Sequence, residues 1–218
     1  MGIDYQRFDR VCARSEELAN RADVHPSVKR VYTEKLAAKA TRFRSSHKGL
    51  KNAETAAKKE RREALAALEA IHPPYMQARS VAANYVTDLA IPVSLKSLST
   101  ETDKCDAIRD LLAILDTYDD EPGWASELVE GDFGRLAPEA IREVSEWIEA
   151  NAALEKAVRE RAEAYAEAYP AFLRFRDVVR TTYSPSSMHY RRLVVRSNGK
   201  LAVEDPVDQG DGPIDGEG

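Results

Sequence analysis

The chain has 218 residues and a mass of 24.3 kDa, long enough to bury a hydrophobic core without disulfide or metal staples. Ten glycines and ten prolines are few turn residues for this length, and the abundance of Ala, Glu and Arg favours long helices over a β-sandwich or a doubly wound sheet. The net charge of -5 hides a division: residues 1–100 carry 18 basic and 11 acidic residues, a net of +7, whereas 101–218 carry 14 and 26, a net of -12.

The N-terminal MGIDYQRFDR has no apolar h-region, and Gln6 stands where a myristoylation signal after Met1-Gly2 would carry Ser or Thr. No apolar run approaches the roughly 18 residues of a membrane span, so a cytoplasmic protein with no membrane contact is expected. The first helix is predicted from Asp4 to about Ala22, with Phe8, Val11, Cys12, Ser15, Leu18 and Ala19 on one face. Cys12 and Cys105 are too few for a disulfide framework or a zinc ribbon and read as small core residues.

Pro26 fits the first turn of a second helix, where its missing N–H costs nothing. That helix carries an apolar stripe at intervals of seven, Leu36, Phe43, Leu50, Ala57, Ala64 and Ile71, the seam of a coiled coil or helical bundle. The stripe keeps its phase across Ser45-Ser46-His47-Lys48-Gly49, which predicts a continuous helix there. His72-Pro73-Pro74 predicts a kink or tight break, after which Tyr75, Met76, Val81, Tyr85, Val86 and Leu89 resume the pattern. Ile91-Pro92 marks the predicted end.

The Ser99-Thr100-Glu101-Thr102 cluster predicts a cap for the next helix, whose apolar face is Cys105, Ile108, Leu111, Leu112 and Leu115. Residues 116–138 read as irregular apart from a short amphipathic piece around Trp124 to Val129. Pro138-Glu139 is the predicted opening of the last long helix, with Ile141, Val144, Ile148, Val158, Tyr165, Phe172 and Val179 inward and a kink at Pro170. A helix of about 45 residues would span nearly 70 Å, which predicts an elongated molecule. A shift of 100 aligns Glu60–Ala66 with Glu160–Ala166 at five identities in seven, the pattern of a duplicated helical hairpin.

Past Ser184-Pro185, β-prone runs flank Ser197-Asn198-Gly199-Lys200, predicting a β-hairpin over 184–204, and the acidic, Gly- and Pro-rich 205–218 predicts a disordered tail. The expected fold is thus an all-α, elongated antiparallel bundle of long kinked helices over 1–183, built as one body or as two duplicated hairpins at about 1–90 and 100–183, with a hairpin appendage.

Glu69 and His72 have the E-x-x-H spacing of carboxylate-bridged metal sites in bundles, but no second copy exists, and His72 beside two prolines reads as a helix-end residue. Asp132-Phe133-Gly134 repeats a kinase tripeptide without the glycine-rich loop, strand lysine or H-R-D segment of kinases and reads as a turn. Phosphate-cradling glycine loops and a nucleophile elbow are also missing, so neither catalytic residues nor a metal or cofactor are expected. The aromatic series Tyr165, Tyr169, Phe172, Phe175 and Tyr183 reads as core.

The strongest candidate is the basic stretch 29–62, with 12 Lys and Arg against three Glu. Its Lys35, Lys39, Arg42, Arg44, Lys48, Lys51, Lys58 and Arg62, together with Arg191 and Arg192, form a candidate interaction surface. The competing expectation is that the acidic segment 101–149, with 15 acids against four bases, neutralises it internally. The resulting expectation is a non-catalytic adaptor or scaffold that engages a protein partner and is compatible with a homodimer; a nucleic-acid-associated protein using 29–62 is the alternative.

Overall fold

The computed structural model describes residues 4–118 and 123–194. Among them the chain is all-helical, with no strand. Helix α1 (Tyr5–Asn20) is capped by Asp4, whose carboxylate accepts the Arg7 N–H, and it buries the six residues that its periodicity placed inward. Helix α2 (Pro26–Val31) has Pro26 in its first turn and His25 as N-cap, with Nδ1 accepting from the Ser27 N–H. A π-helical segment, Tyr32–Leu36, joins α2 to the long helix α3 (Ala37–Tyr85).

Helix α3 passes unbroken through Ser45–Gly49, and Leu36, Phe43, Leu50, Ala57, Ala64 and Ile71 are all buried. It also continues through Pro73 and Pro74, so of the kink or tight break expected there, the break is absent. Tyr75 donates from its hydroxyl to the Val93 carbonyl at 2.7 Å, and Arg79 Nε donates to the Pro92 carbonyl at 2.6 Å, which ties the returning chain to this part of the helix. The helix stops at Tyr85, earlier than Ile91-Pro92 suggested. A 3-10 turn (Leu95–Ser97) precedes α4 (Glu101–Thr117), whose N-cap is Thr100 as read from the sequence.

Helices α5 (Trp124–Glu130) and α6 (Asp132–Tyr183) correct two further expectations. Asp132-Phe133-Gly134 is the first turn of α6 rather than a free turn, because Phe133 is buried in the core and Gly134 lets the helix backbone pass directly against Val129. The last helix therefore begins six residues before Pro138, and the described residues of the stretch read as irregular are mostly helical. A short α7 (Met188–Arg191), capped by Ser187, and a turn that buries Leu193 replace the start of the expected hairpin. The remainder of that hairpin, 195–204, and the tail 205–218 lie outside the described residues.

Contacts divide the chain into two units, residues 1–48 with 159–218 and residues 49–158. The first has a core of Phe8, Val11, Cys12, Leu36, Phe43, Phe172, Phe175 and Val179 among others, with an aromatic cluster in which Phe8 meets Phe43, Tyr165 and Phe172 edge-on. The second has its own core, including Ile71, Tyr75, Ile108, Leu111, Leu115, Phe133 and Val144. The matched segments Glu60–Ala66 and Glu160–Ala166 fall in different units, and the equivalent Ala64 and Ala164 are both buried. No described helix is long and apolar enough to cross a membrane.

Candidate functional site

The basic residues of 29–62 do not form a single uniform face, because the structure treats them in three ways. Arg42 donates to both carboxylate oxygens of Glu167 at 2.7 Å, from α3 to α6. Arg44 reaches α1, donating to Glu16 at 2.8 Å and lying 3.5 Å from Asp9. Lys59 is held within its own helix by Glu60 and Glu63, at 3.1 and 2.9 Å. By contrast Lys35, Lys39, Lys48, Lys51, Lys58 and Arg62 are exposed, and no described carboxylate pairs with any of them. Among the described residues the cross-helix ion pairs of this stretch, those of Arg42 and Arg44, are made with acids of α1 and of the 159–183 portion of α6.

Charge also separates by unit. Residues 1–48 and 159–218 carry 20 Lys and Arg against 16 Asp and Glu, a net of +4, while 49–158 carry 12 against 21, a net of -9. Within the described part of the first unit the balance is 18 against 10, a net of +8. Lys35, Lys39 and Lys48 thus project from a positive body, whereas Lys51, Lys58 and Arg62 belong to a negative one.

Arg191 is exposed, and Arg192 is half-buried, its carbonyl accepting from Arg14 at 3.4 Å. Near them Tyr183 accepts the His25 backbone N–H and stacks obliquely on His189 with ring centres 4.5 Å apart. Tyr165 and Phe172 join the aromatic core, Phe175 is fully buried against Tyr32, and Tyr169 remains 40% exposed, so the aromatic series is mainly packing.

Two features of the second unit were invisible to motif reading. Carboxylate oxygens of Glu60, Glu143 and Glu146 lie within 4.8 Å of one another, with Lys59 and Arg142 beside them. Glu143 and Glu146, at i and i+3 on α6, are the only pair of the three that the sequence places on one helix face. Glu63, Glu139 and Glu143 also line a cleft of about 440 Å³ with Ala66, Ala67, Ala70 and Leu136. His72 is half-buried inside α3 rather than at a helix end, because the helix runs on to Tyr85.

The thiols are sealed. Burial pushes Cys12 from 9.0 up to about 12, Asp9 adds to the rise and Arg44 opposes it. Burial likewise raises Cys105. A thiol held protonated is a poor nucleophile and a poor metal ligand. No protein-family model, curated protein or solved structure matches the chain.

Proposed function

We propose that this chain is a non-catalytic interaction protein and that its positive unit, residues 1–48 with 159–218, docks an acidic surface on another protein. The observation that supports the reading is the survival of Lys35, Lys39 and Lys48 as exposed cations without a described acidic partner, on a body whose described residues sum to +8. Arg42 and Arg44, which pair with acids on other helices, serve the fold instead. Exposed lysines on long stems act as point charges that steer and orient a partner rather than as a pre-formed fork for one ligand.

Affinity capture from nuclease-treated lysate tests this with two charge-reversed triples. Lys35→Glu/Lys39→Glu/Lys48→Glu is expected to lose a defined protein that the parent chain and the Lys51→Glu/Lys58→Glu/Arg62→Glu triple both retain. Capture that depends on intact nucleic acid and falls steeply with salt would replace the reading with phosphate-backbone binding. Equal retention by both triples would overturn it.

A further inference from the structure

The second unit contains a cleft of about 470 Å³ between residues 65–73 of α3 and the 95–104 segment that leads into α4. Its apolar wall is Leu65, Leu68, Pro73 and Leu95. Leu68 and Leu95 are buried, but Leu65 is 42% exposed, an apolar side chain facing water beside a concave surface. The polar groups are Glu69, His72, Lys96 and Lys104.

Neither lysine pairs with a described carboxylate, and two ammonium groups against Glu69 leave one positive charge over. His72 Nδ1 is sealed from water and has no hydrogen-bond partner among the described residues. In the neutral ring the proton therefore belongs on Nε2, since a proton on Nδ1 would be a buried donor with nothing to donate to. Volume, apolar lining and a few convergent polar groups are the attributes of a small-molecule site.

We infer that this cleft binds a small amphipathic monocarboxylate, its apolar chain against Leu65, Leu68, Pro73 and Leu95 and its carboxylate accepting N–H bonds from Lys96 and Lys104. A single negative charge matches the single excess positive charge. A phosphate, with a charge of about -1.5 to -2, would overfill it beside Glu69. Flexible lysine stems suit a carboxylate whose position varies with the length of the chain behind it.

Calorimetric titration of the full chain with octanoate tests the inference, with acetate, octanol and inorganic phosphate as comparisons and amine acetylation read by mass spectrometry as a footprint. Octanoate is expected to bind saturably, more tightly than any of the three, and to protect Lys96 and Lys104 while leaving Lys51 and Lys58 reactive. In Lys96→Met/Lys104→Met, where the apolar stems remain, affinity falls about tenfold or more. Should that variant melt early, protection in the parent chain decides. Absence of saturable binding, unchanged affinity in a folded double variant, protection elsewhere, or tighter binding of phosphate would each overturn the assignment.

Discussion

Cys12 shows how one buried side chain makes stability depend on pH. Its thiol titrates at about 12 in the folded chain against an ordinary 9.0. Below pH 9 both states keep the proton; between about 9 and 12 the unfolded chain releases it first, so stability falls as pH rises, by at most about 1.4 kcal/mol per pH unit from this group. Tyr32 and Tyr75, each raised by burial to about 12, contribute with the same sign. Urea denaturation followed across this window is expected to give a steeper decline for the parent than for Cys12→Ala, whose cavity cost does not vary with pH. Parallel declines would mean that the thiol is not held protonated. Burial of Cys12 was legible from its place on the apolar face of α1. The partners of Arg42 and Arg44 were not, since they lie 125 and 28 residues away and only the packing of helices brings them near.

At the scale of elements, two helical glycines carry opposite predictions. A methyl group on Gly134 would fall 1.8 Å from the Val129 carbonyl oxygen, a backbone atom that cannot move without shifting α5 against α6. Gly134→Ala is expected to destabilise by about 2 to 3 kcal/mol. Gly49 is exposed within α3 and a methyl there meets nothing within 4 Å, so Gly49→Ala is expected to stabilise by about 0.5 to 1 kcal/mol. Denaturant midpoints of the two variants should move in opposite directions; a neutral Gly134→Ala would refute the close approach. The same helices show why periodicity read α3 well and α6 less well. In α3 large apolar residues and alanines share one seven-residue seam. In α6 much of the burial falls on alanines, Ala137, Ala140, Ala164, Ala168 and Ala171, whose hydrophobic signal is weak, while Ile148 and Val158, expected inward, are each 43% exposed. Residue type reports a wish for burial, not whether a neighbour is there to provide it.

The described residues are organised around two separate cores although two helices run through both units. Between residues 51 and 63 of α3 only Ala57 is buried, and between residues 145 and 163 of α6 no residue is. The two clusters share no residue, so a cavity made in one removes contacts from that one alone. Phe175→Ala empties a fully buried position in the first core and Ile108→Ala in the second, with costs of about 3 to 5 and about 2 to 5 kcal/mol. Native-state hydrogen exchange should separate them: Phe175→Ala is expected to lower protection in α1 while largely sparing α4, and Ile108→Ala to do the reverse. If each substitution lowered protection equally in α1 and α4, the long helices would transmit unfolding as one cooperative body. The separation of the cores would then be geometric without being energetic.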